Sequence, residues 1–575
     1  GDCTFCRTWI ARWRQATGDR VDYRAAAEVS FPEIPPPTFT ESVVLIEPDG
    51  AVFTGARAVF RALGREPLYR PVARPAEAAY RFVARHRQLF SRLTRWLWGA
   101  SVERPSYART RSVFLRGLGV IYFIAFVSLW TQMPGLIGSN GIHPAALLMQ
   151  ALREQSLSHN GWAAYWLAPT LCWLDASDTM LHLLCGGGAV LALLVVARIA
   201  TVPALALLWA TYLSLAVVSD VFLGYQWDAL LLETGFLAIF FALGKGEPSR
   251  AILWLLRLLL FKLMFFSGVV KLASGDALWR ELTALTVHYQ TQPLPHVLAW
   301  YAHQLPGWFQ KFSCAAMFVI ELALPFLIFA PRRPRLVAAG GFVLLQVLII
   351  LTGNYTFFNW LAIFLCVPLL DDRLLGSDRP AGERVRGRRW LTVPLAVVIT
   401  FLTVVQTAQV CRLRVGGAVR WLYVAIMQAA HPFRSINTYG LFAVMTPDRP
   451  EIIVEGSADG REWKAYEFRY KPGDVRQAPR FVAPHQPRLD WQMWFEALRA
   501  GSPSPWFMNF SYRLLQNEPA VLALLQHNPF PDAPPRYLRA VIYEYQFTTP
   551  AQRRATGAWW HREEKAVHLP PVALR

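Results

Sequence analysis

At 575 residues with a formal net charge of +19, the chain is 54% hydrophobic and 17% charged, below the roughly 25% charge usual for soluble domains. Together with 23 Trp, this excludes an ordinary soluble enzyme and points to a membrane protein. The basic residues sit in blocks beside apolar stretches, which the positive-inside rule explains and nucleic-acid binding does not.

Residues 1–65 read as a small soluble α/β unit. Thr4–Gln15 is helix-like, Ser42–Ile46 a strand, Glu47-Pro48-Asp49-Gly50 a turn, Ala51–Thr54 the returning strand and Ala56–Leu63 a helix, with the proline-rich Phe31–Pro37 as a loop. The chain opens on GDCTFC without a basic, apolar leader, which reads as a sequence cut from inside a longer one. Residues 66–112 form an Arg-rich linker. From Arg57 to Arg116 there are fourteen Arg, no Lys and three acids, and Ala76–Trp98 is patterned as one amphipathic helix suited to a membrane surface.

Residues 113–410 read as a transmembrane bundle of about nine spans: Val113–Trp130, Leu181–Val196, Val202–Phe222, Trp227–Leu243, Ala251–Leu272, Phe312–Ala330, Leu336–Leu351, Phe357–Leu370 and Trp390–Val410. With the Arg-rich start inside, Arg198, Lys245 with Arg250, the PRRPR loop and Arg373–Arg389 all fall inside too. Thr131–Met180, Ala273–Lys311, Thr352–Thr356 and residues 411–575 then lie outside, although Arg412, Arg414 and Arg420 just after the last span weigh against it. Residues 411–575 read as a β-rich soluble domain. Glu451–Glu455 and Trp463–Tyr470 form a hairpin over an Asp-Gly turn, Leu538–Phe547 alternates as a strand, and Leu489–Leu498 and Phe510–Leu525 are helical. The fold class is thus a polytopic α-helical membrane protein between a thioredoxin-like α/β start and this C-terminal domain.

Two resemblances sharpen this. GDCTFCRTWIARWR with EPDGAVFTGARAVFRAL resembles the DCC1-like thiol-disulfide oxidoreductases, a thioredoxin-like family. Residues 110–575 resemble the lipase maturation factor family through WDALLLETGFLAIF, SGDALWRELTAL, HYQTQPLPHVLAWYAHQLP, LTGNYTFFN, INTYGLFAVMT and APHQPRLDWQMWF, among others. The second resemblance implies a multi-spanning protein that assists the maturation of exported proteins such as lipases. The redox-type start and the loop composition place the chain in a bacterial cytoplasmic membrane, with a cytoplasmic N-terminus and a periplasmic C-terminal domain. The partners expected are the lipid bilayer, client proteins and a thiol redox partner. No nucleic acid, cofactor or metal is expected. The alternative is a vitamin K-dependent carboxylase-like membrane enzyme acting on a lipid or quinone-like substrate in the bundle.

Candidate residues fall in three groups. Cys3 and Cys6 open a helix beside Arg7, where the dipole favours a thiolate at Cys3 and Cys6 resolves a mixed disulfide; half a zinc site is the competing reading, but the sequence offers no second ligand pair. Glu233, Lys262, Lys271 and Glu321 are ionisable residues in apolar spans. Counting depth from the outer ends pairs Lys262 with Glu321 and Glu233 with Lys271, as structural ion pairs or around a desolvated lysine base, while Arg257 snorkels inward. On the outer loops, Asp276, Arg280, His288, Tyr289, His303 and Asn354 mark a candidate site. His288, His296 and His303 read as interfacial histidines in preference to a metal set, Trp279, Tyr289, Trp300, Tyr301, Trp308 and Phe309 as an aromatic belt, and Asn354 as a turn residue.

Overall fold

Apolar helices of about 20 residues are the only elements of this chain that satisfy their own backbone inside a bilayer, and they dominate the computed structural model. The structure describes residues 4–25, 28, 42–99, 102–154, 161–244, 246–377, 389–499 and 501–574. It divides into two units: Gly1–Ser106 with Phe329–Val337 and Asp371–Gly382, and Tyr107–Ile328 with Ala338–Leu370 and Glu383–Arg575.

In the first unit, Thr4–Thr17 is a helix and Val44–Ile46 pairs antiparallel with Val52–Thr54, register Val44 to Thr54. The turn closes at Gly50, φ +85°, and Arg61 on the helix Gly55–Ala62 grips Glu47 at 2.6 and 2.8 Å. These elements follow the sequence expectation to within two residues. The thioredoxin-like sheet does not emerge: the described residues of this unit carry a two-stranded sheet, and residues 29–41, with the expected proline loop, lie outside them. The single helix expected over Ala76–Trp98 is instead two, Ala73–Arg85 and Arg87–Trp98. On a straight helix Phe82 and Phe90 sit about 12 Å apart along the axis; the break at His86 brings their rings to 5.9 Å.

Among the described residues seven helices are long and apolar enough to cross a membrane, against the nine expected: Ala108–Trp130, Asp178–Ala197, Thr201–Val218, Arg250–Ser274, Gly307–Leu327, Arg332–Ile350 and Arg389–Val410. Gln226–Phe241 has 16 residues and Phe358–Leu369 is shorter still. Within the second unit both short helices nevertheless bridge two levels. Near the first, Phe222 accepts from Arg488 of the C-terminal domain while Gly244 accepts from Arg111; near the second, Asn354 bonds Arg480 while Leu370 accepts from Thr110. The loops expected on one face, Thr131–Met180, Ala273–Lys311 and Thr352–Thr356, each meet the C-terminal domain.

That domain is built on a four-stranded antiparallel sheet in the order Lys464–Ala465, Pro450–Ser457, Tyr537–Phe547, Trp560–Val572. The expected hairpin is only partial. Two residues pair with Pro450–Ser457, after which Glu467–Phe468 leaves to pair with Leu525–His527. The long partner of Pro450–Ser457 is Tyr537–Phe547, in register from Pro450 with Glu544 to Ser457 with Tyr537. The helix expected over Phe510–Leu525 divides into Pro505–Leu515 and Pro519–Leu522, since Asn517 takes φ +54° and Pro519 opens a new turn.

Candidate functional site

The four ionisable residues of the spans form two buried pairs, with the partners exchanged relative to the depth count. Lys262 Nζ donates to Glu233 Oε1 at 2.6 Å and to the Asn437 carbonyl at 3.0 Å. Glu233 Oε2 accepts from Asn437 N–H at 2.8 Å, from its Nδ2 at 3.2 Å and from Tyr439 O–H at 2.7 Å. Lys271 Nζ donates to Glu321 at 2.8 and 3.1 Å and to the Ser267 carbonyl at 3.0 Å, beneath the Trp279 ring. Depth counting could not choose between the pairings, because Glu233 is held beside Lys262 by Asn437 and Tyr439, which come from a distant segment of the chain. The helix carrying Glu321 widens to a π-turn over Val319–Ala323, and Gly268 lets that turn approach: a Cβ there would lie 2.7 Å from Leu322 and 3.0 Å from Glu321 Cβ. Arg257 donates to the Pro368 carbonyl and to the Tyr107 hydroxyl oxygen, each at 3.0 Å.

A third pair escaped the sequence reading. Arg488, fully buried on the C-terminal helix Arg488–Ala497, donates to both oxygens of Asp228 at 2.9 and 3.1 Å and to the Phe222 carbonyl at 2.5 Å, while Tyr212 O–H donates to Asp228 at 2.5 Å. Around it Ser128 Oγ accepts from Gln486 N–H at 2.9 Å and Gln132 Oε1 from Arg488 N–H at 2.9 Å. Arg449, also fully buried, donates to the carbonyls of Gln290, Gln292 and Pro293 and to Glu451 at 2.6 Å. An unpaired charge at such depth costs several kcal/mol, and each of these ions is matched by an opposite charge, although Arg449 Nε and Arg488 Nε lack a hydrogen-bond acceptor among the described residues.

The outer-loop candidates do not converge on one centre. Asp276 caps Leu278 N–H at 2.8 Å and accepts from Met445 N–H at 2.6 Å; Arg280 is exposed beside Gly275. Asn354 is a staple, donating to the carbonyls of Leu294 and Arg480 and accepting from Val482 and Ala483 N–H at 2.9 and 3.2 Å. His288 lies between Tyr355 and Phe442, and burial together with Lys271 pulls its pKa down to about 4. His296 is buried and caps Leu298 N–H, and His303 sits against Phe547. His288 and His303 are half-buried, and each of the three histidines lies against an aromatic ring. Trp279, Tyr289 and Trp300 are buried, so of the expected belt only Tyr301, Trp308 and Phe309 remain exposed. Among the described residues no group of three or more His, Cys, Asp or Glu is placed to hold a metal. Cys6 lies half-buried on the first helix, and Cys3 falls outside the described residues.

Where the C-terminal domain meets the loops, a groove of about 550 Å³ opens, lined among others by His143, Asp220, Phe495, Arg499, Trp506 and Asn509. In its lining Glu496 accepts from Ser504 Oγ at 2.6 Å and lies 3.1 Å from His568 Nε2.

Comparison with known proteins decides the family. Residues 109–377 match the lipase maturation factor transmembrane domain and residues 435–570 the lipase maturation factor C-terminal domain. The chain belongs to the lipase maturation factor family. It is 39% identical to lipase maturation factor 2 of the chicken, Gallus gallus, over 81% of this chain and 82% of that one. It is 37% identical to the human protein of that name, over 81% and 82%, and 35% identical to mouse lipase maturation factor 1, over 83% and 89%. These relatives are vertebrate, so they lend no support to a bacterial membrane. No solved structure matches. The stretches carrying the family resemblance are the ones that meet here: WDALLLETGF supplies Asp228 and Glu233, INTYGLF supplies Asn437 and Tyr439, and APHQPRLDW supplies Gln486 and Arg488. Membership of this family does not favour the carboxylase-like enzyme.

Proposed function

We propose that this chain assists the maturation of secreted lipases, holding a client segment in the groove between Phe495, Trp506, Asn509 and Asp220 while the membrane bundle fixes that groove at the bilayer surface. The observation that carries this reading is the family seam: stretches from helices, loops and C-terminal domain, far apart in sequence, assemble one buried joint beneath one open groove. Aromatic walls with exposed amide, carboxylate and guanidinium groups suit an unfolded polypeptide, which offers both apolar side chains and main-chain polar groups. The groove-bearing domain is assigned to the side away from the Arg-rich loops. We also assign thiol-disulfide exchange to the N-terminal pair. The Cys3 thiolate attacks a partner disulfide, and Cys6 then displaces the partner's thiol, leaving Cys3 and Cys6 oxidised and the partner reduced.

The test is co-expression of a secreted lipase in cells lacking such a factor, reading lipase activity per mass secreted. This chain raises it, and Phe495→Ala with Asn509→Arg removes the gain. A wild-type chain without effect on that ratio would sink the reading. Labelling of Cys3 and Cys6 by a membrane-impermeant thiol reagent in unlysed cells would move the redox pair to the groove side.

A further inference from the structure

We propose that the helix Arg87–Trp98 of the N-terminal unit docks on the surface of an anionic bilayer. Leu89, Leu93 and Trp96 recur at spacings of four and three, so they share one face, and they are 58%, 42% and 64% exposed. The opposite face is spent on packing: Thr94 is buried, and Trp98 meets Trp9 of the first helix at 5.8 Å. Exposed arginines flank the apolar stripe, Arg92 and Arg95 on the same helix and Arg81 and Arg85 on Ala73–Arg85. The three acids of this stretch are already engaged. Glu66 holds Arg57, Glu77 holds Tyr69 O–H and Arg57 N–H, and Glu103 holds Arg373. What remains is an apolar stripe with a Trp between cationic shoulders, the pattern of a helix lying in the headgroup layer. A nucleic acid accounts for the arginines but not for the stripe.

The bilayer is the occupant because this helix is tied to membrane-crossing helices. Nine residues, 99–107, join Trp98 to the helix that starts at Ala108, a reach of at most about 30 Å. Within the same unit Gly99 lies beside Arg333, on the first turn of the apolar helix Arg332–Ile350. A Cβ on Gly99 would stand 3.6 Å from Arg333 Nε.

The experiment places a photo-crosslinking amino acid at Leu93 of the full chain, in nanodiscs of phosphatidylcholine alone or mixed with phosphatidylserine. Crosslinks to lipid are expected, enriched by phosphatidylserine, with that enrichment falling about fivefold for each of Arg81, Arg85, Arg92 and Arg95 exchanged for Gln. Equal lipid yields in both nanodiscs, or crosslinks to protein alone, would overturn the proposal; the second result would identify a protein partner for this face.

Discussion

At the scale of single residues the buried pairs make the sharpest predictions. Removing one member of a buried ion pair leaves an uncompensated charge and costs about 3–5 kcal/mol, whereas removing both costs far less. Lys262→Met therefore lowers the unfolding stability of the detergent-solubilised protein by about that amount, and adding Glu233→Gln restores most of the loss. Equal stability of the single and double variants would show the pair to be uncoupled. His485 behaves differently. Burial, then Arg488 and Arg469, depress its pKa to about 4 from the ordinary imidazole value of 6.5, and Ser128 Oγ lies 2.9 Å from its Nδ1. The unfolded chain takes up the proton first as pH falls, so this group's contribution is complete above pH 6.5 and is lost between there and about 4. Thermal melts of wild type and His485→Gln differ in slope across that window, with wild type losing stability faster on acidification. Asp490, raised to about 6 by burial, has the opposite sign and is common to both proteins. The sequence made the four charged residues of the spans visible because charge in an apolar run is rare. Their pairing was not legible, because Asn437 and Tyr439 arrive from a segment some 200 residues away that has no apolar signature.

At the scale of elements, close helix packing rests on particular glycines. Gly187 and Gly188 are neighbours on the helix Asp178–Ala197, yet a Cβ on Gly188 would lie 2.2 Å from Phe126 Cε1, whereas one on Gly187 meets nothing within 4 Å. Gly188→Ala forces Ala108–Trp130 away and lowers the melting temperature. Gly187→Ala leaves it unchanged or raises it, since Ala is favoured over Gly in a helix by roughly 1 kcal/mol. Identical melts for the two variants would contradict this packing. Element positions in the bundle were readable from hydrophobic runs, and the turn of the N-terminal hairpin from Glu47-Pro48-Asp49-Gly50. The strand Trp560–Val572 was not, because HREEK in its first half breaks any alternation. Its residues 561–567 are exposed at the sheet edge, where charge is the usual protection against further pairing. The hairpin over Ser457 to Gly460 was read correctly at its turn, where Asp459 accepts from Arg461 and Glu462 N–H. Its returning arm was over-extended, because alternation cannot say which neighbour a strand will choose.

At the scale of the whole molecule, the second unit carries the membrane helices and the C-terminal domain as one body, joined by Asp228 with Arg488 and by Glu233 with Asn437 and Tyr439. The class of the molecule was evident in its composition, and the family in its motifs. That those motifs converge on a joint was invisible, since sequence spacing carries no information about contacts 200 to 350 residues apart. If the joint serves to hold the groove at the bilayer, loosening it abolishes lipase maturation without removing the protein. The most direct measurement is lipase activity per mass secreted from cells whose sole factor is Arg488→Met, alongside membrane abundance of the variant. The account predicts that the ratio falls to background even after normalisation to the membrane abundance of the variant, which the lost pair lowers; an Arg488→Met chain that matures lipase as well as wild type per inserted molecule would contradict it.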